Sequence, residues 1–288
     1  MVPFFMSLQS TILKGLESFL SKRIENFIRA RTRVREALFF QTFEARDTDV
    51  YISTFLKSGT TWMQMILYQM FTHGNMDFEH IYEVSPWLIN EAGGKDGAER
   101  INKLNNPRIF KAHEPYEEFD PKNKNKFIHV YRDGKDVAVS LYHHRKNYKD
   151  PNETLDQIFE SYFTGGTYNW FTYTKQWLEN KDRFNILYVN YADLKNNFEE
   201  TILDIARFLE VNVDEETLTR IKERSSFEFM KANETKFGEQ AQAQKIYNQF
   251  IRKGNLGDGE QLSEIQKKAF SVIYGKELLN LTKQRRLH

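Results

Sequence analysis

A β-branched and aromatic run, Asp49-Val50-Tyr51-Ile52-Ser53-Thr54-Phe55, breaks off before Lys57-Ser58-Gly59-Thr60-Thr61-Trp62, and apolar residues then return at helical spacing as far as Phe71. A buried strand, a short polar turn and a helix in that order constrain the chain more than any other feature. The layout is that of an anion cradle. Gly59 lets the backbone approach a ligand, the first helical amides point outward, and the positive end of the helix dipole favours negative charge. Lys57 adds a point charge, and Ser58, Thr60 and Thr61 offer hydroxyl donors. Because the lysine precedes the glycine, the turn is not a G-x-x-x-x-G-K-[ST] loop. Read alone, the same residues also describe an ordinary strand-to-helix turn capped by Ser58 or Thr60.

Further short strands are expected at Arg108–Lys111, Phe127–Tyr131 and Phe184–Val189. Helical stretches are expected over Asp133–Lys146, Thr154–Glu179, Asp193–Leu209, Asp214–Arg224 and Leu262–Leu281. Strands alternating with helices imply an α/β fold: three layers in a single domain, with a central parallel sheet flanked by helices. No fixed-period repeat and no Pro/Gly/Ser-rich linker interrupts it, so residues 1–288 read as one domain, with 1–45 as an N-terminal helical extension packed on it. The four strands run out at Lys57, His113, Arg132 and Tyr191. In open α/β sheets ligands bind beyond the carboxyl ends of the strands. Those four residues therefore point to one shared, P-loop-like anion cleft.

Composition narrows the chemistry. Cysteine is absent, which excludes disulfides, thiolate metal sites and cysteine nucleophiles. Hydrophobic residues at 40% and aromatic residues at 15% indicate a packed globule. A formal net charge of +1 gives no case for nucleic-acid binding, so an anionic ligand must be held by locally concentrated charge. No apolar run reaches the roughly 18 residues of a membrane span. Met1 to Leu13 carries no basic residue ahead of its apolar patch, so no signal peptide is read, and a cytoplasmic enzyme is the expectation. Ser10 to Phe40 is helix-like and basic, with Lys22, Arg23, Arg29, Arg31, Arg33 and Arg35. Such a run is more often a solvated face than a membrane-surface helix.

Three segments together carry a family resemblance. Thr54 to Trp62 resembles the 5′-phosphosulfate-binding loop of the cytosolic sulfotransferases, with Leu56 where that loop usually has proline. Tyr131-Arg132-Asp133-Gly134-Lys135-Asp136-Val137-Ala138-Val139-Ser140 is similar to the family's 3′-phosphate-binding motif. Arg252-Lys253-Gly254 followed by Gly257-Asp258 is similar to its C-terminal R-K-G-x-x-G-D segment. The resemblance spans roughly Val50 to Asp258, in the family's order.

The resemblance implies that the cofactor is the sulfuryl donor 3′-phosphoadenosine 5′-phosphosulfate, PAPS, with adenosine 3′,5′-bisphosphate, PAP, as product and no metal. It implies that Arg132 and Ser140 grip the 3′-phosphate and that Arg252, Lys253 and the Gly254 amide close over it. An arginine fork and a hydroxyl donor suit such a group. Trp62, Tyr191, Phe227 and Met230 would bracket the adenine, with Ser225, Phe250 and Ile251 in the same donor site. His113, in Lys111-Ala112-His113-Glu114-Pro115, would be the catalytic base. An unperturbed imidazole titrates near ~6.5 and is largely neutral at pH 7. Lys57 and Lys111 would stabilise charge on the bridging and sulfuryl oxygens, with Ser140 holding Lys57 aside until the acceptor arrives. By analogy with phosphoryl transfer, catalysis is then positioning plus charge stabilisation. The adjacent His143 and His144 point about 100° apart on a helix and do not chelate together.

The expected acceptor is a small molecule. His144 and Thr167 stand where a phenol-sulfating member has Phe and Tyr, and Trp87, Tyr148 and Phe4–Phe5 supply other walls. That pattern implies an acceptor more polar than a simple phenol or steroid, such as an alkaloid or glycoside. Gly259 stands where the family often has Trp, Ser225 where Thr is common. The family's dimerisation pattern is not recognisable in Glu260–Lys268, so monomer and homodimer both stay open. Two other readings stay open on the residues alone: a P-loop-type phosphotransferase, which would want a Walker lysine and a Mg²⁺-binding acidic residue, and a non-catalytic adenine-nucleotide-binding protein.

Overall fold

The structure, a computed structural model, describes residues 2–94, 96–119, 124–166, 168–238 and 250–283. The chain forms two compact units: Met1–Glu44 with Leu88–Leu104, and Ala45–Trp87 with Asn105–His288.

In the first unit a long helix, Val2–Thr42, meets the short helices Leu88–Gly93 and Gly97–Asn102. Phe39 is buried there and stacks on Phe43 at 5.4 Å. The Arg35 guanidinium donates to the Gly93 carbonyl at 3.0 Å. Asn102 clamps the end of the long helix, donating to the Thr42 carbonyl at 2.9 Å and accepting from the Glu44 amide at 3.2 Å. Each bond satisfies a polar group that a helix end leaves unpaired.

The second unit holds the sheet. Its strands are β1 (Val50–Thr54), β2 (Ile109–Ala112), β3 (Lys126–Tyr131) and β4 (Asn185–Asn190), all parallel, in the order β2-β1-β3-β4. The central strand is buried throughout because both faces are covered, as its unbroken β-branched and aromatic run requires. Side chains alternate between two different cores. Val50 and Ile52 of β1, with Ile128 and Val130 of β3, join a largely aliphatic cluster with Met63, Ile66 and Leu67 of helix Thr60–Thr72. On the other face Tyr51 packs on Phe110 and Phe127, at 5.4 and 5.1 Å, with Phe119 and Trp177 beyond them. The same alternation puts Ser53 on the aromatic side, where its hydroxyl bonds buried His129 at 3.0 Å.

The four expected strands are present to within two residues. The helices Thr154–Glu179 and Asp193–Leu209 are each interrupted. Leu155–Phe159 runs into a π turn, Glu160–Thr164, and stops at Gly165-Gly166. Trp170–Glu179 starts afresh with the Asn169 side chain accepting from the Thr172 amide at 2.9 Å. Asn197, outside the helical region, separates Tyr191–Asn196 from Phe198–Leu209. Among the described residues no helix is long and apolar enough to cross a membrane.

At the amino ends of β1 and β2, away from the strand ends that carry polar loops, Asp49 and Arg108 form a bidentate pair of 2.7 and 2.6 Å with both side chains fully buried. Asp49 also accepts from the Arg46 amide at 2.9 Å. Breaking such a pair leaves an uncompensated buried charge, and Asp49→Ala is expected to destabilise the fold by about 3–5 kcal/mol in urea titration. A loss below about 1 kcal/mol would mean that Arg108 finds another partner.

Candidate active site

Helix Thr60–Thr72 opens on Gly59, whose φ of 104° lies in the left-handed region, and no side chain caps the helix. Its first-turn amides are therefore offered to a ligand. A Cβ at Gly59 would sit 2.7 Å from the Tyr191 ring, so glycine is required by contact as well as by backbone. Lys57 also has positive φ, at 63°, an uncommon conformation for a residue with a side chain. The Ser58 hydroxyl is buried with no hydrogen-bond partner among the described residues. The Lys57 ammonium lies 4.6 Å from the Phe250 ring centroid.

Beside this loop, beyond β3, Arg132 is buried with its guanidinium 4.4 Å over the Tyr191 ring. It donates to the carbonyls of Asn255 at 2.9 Å and Lys57 at 3.4 Å, and its Nε has no partner among the described residues. Asp136, one turn along the helix Gly134–Tyr148, approaches Arg132 at 3.6 Å. The same carboxylate accepts from the amides of Gly257 at 3.1 Å and Gly259 at 2.8 Å. One buried acid thus ties the loop after β3 to the C-terminal segment. Arg252 in that segment pairs with Asp258, and Lys253 is exposed. A Cβ at Gly254 would meet the Phe227 ring at 2.9 Å, and one at Gly259 would meet Lys135 at 2.5 Å. That second contact is the physical reason a tryptophan cannot stand at Gly259. Ser140 lies half-buried in the second turn of Gly134–Tyr148.

The expected adenine bracket is assembled next to Tyr191. Trp62 meets Tyr191 edge-on at 5.5 Å, stacks on Phe198 at 6.1 Å and donates from its indole to the Ser225 carbonyl at 2.8 Å. Buried Ser225 bonds back to the Ile221 carbonyl, and buried Met230 sits in the aliphatic core with Ile251 packed against that core.

At the end of β2 the buried His113 ring donates from Nδ1 to the Thr54 carbonyl at 2.8 Å, with the Thr54 hydroxyl 3.2 Å away. A carbonyl only accepts, so Nδ1 carries the proton and the neutral ring has its lone pair on Nε2. The Thr54 hydroxyl also bonds that of Thr60 at 2.6 Å, linking the histidine to the first residue of the anion-loop helix. The Lys111 ammonium bonds the Tyr82 hydroxyl at 2.7 Å and lies 4.6 Å over the Trp87 ring. Trp87 meets His113 edge-on at 5.2 Å and donates to Glu114 at 2.9 Å. Glu114 also accepts from the His113 amide at 2.9 Å, and burial pushes its carboxyl above the ordinary range against those donors. The Tyr168 hydroxyl donates to the His113 carbonyl, and its ring stacks on Phe55 at 5.6 Å. His144 and Tyr148 pack together at 5.0 Å and both face Phe250, at 6.1 and 6.4 Å. Thr167 and the side chains of Phe4 and Phe5 lie outside the described residues.

A family model described as the sulfotransferase domain matches residues 47–282. This chain belongs to the sulfotransferase family. It is 34% identical over 259 residues to Sulfotransferase 1 family member D1 of Mus musculus, covering 84% of this chain and 87% of that protein. It is 31% identical over 275 residues to the Amine sulfotransferase of Oryctolagus cuniculus, covering 88% of each. In fold it is similar to the crystal structure of mouse sulfotransferase SULT7A1 complexed with PAP, with a TM-score of 0.68 at 24% identity, over 85% of this chain and 91% of that one.

The sulfotransferase brings together the loop Lys57–Trp62, His113, Lys111, Arg132, Tyr191 and Arg252–Gly254 at one end of its sheet. Sequence reasoning gave no role to Thr54, Glu114 or Asp136, though each stands in a segment that carries the resemblance, and it missed Tyr82 and Tyr168 as parts of that end. Asp136 had a signal, since it stands within Tyr131–Ser140, the segment that carries the 3′-phosphate resemblance. Tyr82 and Tyr168 lie on connections that carry no local signature. Among the described residues no group of three or more His, Asp or Glu side chains is placed to hold a metal ion.

Glu114 makes the pH behaviour of this sulfotransferase testable. Its raised folded-state pKa means that the folded protein keeps a proton which the unfolded chain has already released. Stability contributed by this group therefore falls as pH rises from the ordinary carboxylate value through the raised one. Urea titrations from about pH 4 to 8 are expected to show wild type losing stability relative to Glu114→Gln over that interval. Two curves that stay parallel would remove the burial effect.

Proposed function

We propose that the protein transfers the sulfuryl group of PAPS to a hydroxyl or amine of a small polar acceptor by in-line transfer, with His113 as general base. The observation that carries the reading is the pair of buried, unpartnered donors, Ser58 Oγ and Arg132 Nε, beside an uncapped helix N-terminus. Unsatisfied buried donors are costly, and an anionic ligand with two phosphate-bearing ends relieves both. The PAP named with the solved mouse relative is a ligand of that kind.

The Lys57–Trp62 loop holds the 5′-phosphosulfate with its amides, the Ser58, Thr60 and Thr61 hydroxyls and the Lys57 ammonium. Arg132, Ser140, Arg252, Lys253 and the Gly254 amide hold the 3′-phosphate. Trp62, Tyr191, Ser225, Phe227, Met230, Phe250 and Ile251 surround the nucleoside. His113 takes the acceptor's proton at Nε2, the nitrogen left basic by the Nδ1 bond to Thr54. Lys57 and Lys111 offset charge on the sulfuryl and bridging oxygens, and losing one such donor typically lowers the rate about 10²–10³-fold. Trp87, His144 and Tyr148 line the acceptor side. Its polar groups, including the Tyr82 hydroxyl and Glu114 beside Trp87, favour an acceptor more polar than a phenol or steroid.

His113→Ala is expected to abolish sulfuryl transfer while leaving PAP affinity within about twofold, since the histidine touches the acceptor side. Arg132→Ala is expected to weaken PAP binding by about 1.5–3 kcal/mol in calorimetry, the range for a lost charge-assisted pair. Unchanged PAP affinity in Arg132→Ala would sink the 3′-phosphate assignment. An acceptor panel in which only simple phenols and steroids gained a sulfuryl group would sink the polar-acceptor assignment.

A further inference from the structure

The helix Val2–Thr42 exposes much apolar surface among its described side chains. Leu16, Phe19, Leu20, Ile24, Phe27, Val34 and Leu38 are all exposed, Phe27 by 71%. At about 100° per residue they fall within an arc of about 140°. Inward-facing Thr32, Arg35 and Phe39 lie on a different face, centred about 100° away, where Arg35 and Phe39 contact or bury within the first unit. Isolated exposed apolar residues are ordinary, but a continuous stripe over six turns of helix is a contact surface.

Charge identifies what the stripe meets. The helix has seven Lys and Arg residues against three Glu, in a chain whose net charge is only +1. Positive charge is thus concentrated here and offset elsewhere. Arg23 and Arg31 project from within the stripe, Arg33 from one flank and Glu17 from the other, all four exposed, whereas Glu36 lies off it. The Arg23 guanidinium lies over the Phe19 ring at 4.9 Å, so cation and apolar ring share the same stripe. A second copy of the helix seated on the stripe would bury Arg23 and Arg31 against apolar residues, two cations against the single edge carboxylate Glu17 among the described side chains. A bilayer surface with acidic lipids takes both halves of the pattern, apolar side chains below the headgroups and arginines among the phosphates.

We infer that the helix Val2–Thr42 is a peripheral membrane-binding element that lays the Leu16–Leu38 stripe into the surface of an acidic bilayer. The full-length protein is expected to co-sediment with vesicles of phosphatidylcholine containing about 30% phosphatidylserine, and little with pure phosphatidylcholine. Raising salt from about 0.05 to 0.5 M is expected to release most of it. The double variant Ile24→Gln, Phe27→Gln is expected to lower partitioning about tenfold or more, the loss of two buried apolar side chains. Arg31→Gln is expected to lower binding to acidic vesicles about fivefold without changing binding to neutral ones. Transfer to a soluble acceptor, which uses none of these residues, serves as the folding control. The inference is overturned if wild type ignores acidic vesicles, if it binds neutral ones equally, or if the double variant binds as wild type does. It is also overturned if ultracentrifugation without lipid shows a dimer that the double variant abolishes, since the stripe would then be a self-interface.

Discussion

The parallel register of β1 is the constraint on which the site depends. Because β1 pairs with β2 on one side and β3 on the other, its carboxyl end lies between theirs. The anion loop that follows it is therefore flanked by His113 after β2 and Arg132 after β3, with Tyr191 after β4 one strand further out. Those groups need no loop to travel, whereas the C-terminal segment is brought to them through Asp136 and Arg132. The sheet sets the order of the groups, and the buried Asp49–Arg108 pair fixes the opposite end of the same two strands. A slip of one residue would exchange the aliphatic and aromatic faces of β1 and bury Tyr51 where Ile52 belongs.

Local contacts then sharpen what the sheet arranges coarsely. Thr54, the last residue of β1, uses its carbonyl to orient His113 and its hydroxyl to bond Thr60. The base and the anion loop are thus referenced to one residue. Asp136 does the equivalent on the other side, holding Arg132 and the Gly257 and Gly259 amides with a single carboxylate. Both devices work through backbone groups, which have fewer ways to move than side chains.

Much of this was legible in the sequence for identifiable reasons. The strand-turn-helix at Asp49–Phe71 could be read because its period changes at Lys57, and Gly59 could be read because a close approach needs it. The strand ends were legible because polar residues interrupt apolar runs there. The long helices were read too long, since Gly165-Gly166 and Asn197 break them by local conformation while the apolar spacing continues past them. Tyr82 and Tyr168 were illegible as parts of the site because they reach it by tertiary folding alone, whereas Glu114 stood beside His113 and only its bonds to Trp87 and the His113 amide were illegible. Their roles rest on where Lys111 and the His113 backbone happen to be. Gly259 was visible as a departure, and only the Lys135 contact explains it.

The strand order has an evolutionary consequence. Read across the sheet, His113, the anion loop, Arg132 and Tyr191 form a line, with the proposed acceptor side at one end and the proposed nucleoside site at the other. Among the described residues Trp87, Glu114 and Tyr168 contact the first end, while Asp136 and Asn255 contact Arg132 toward the second. Substitutions around Trp87 and Tyr168 are thereby separated from those around Asp136 and Asn255 by the width of a strand pair. Such a sheet lets a lineage change what it modifies while inheriting, unaltered, the apparatus for handling the currency it modifies with.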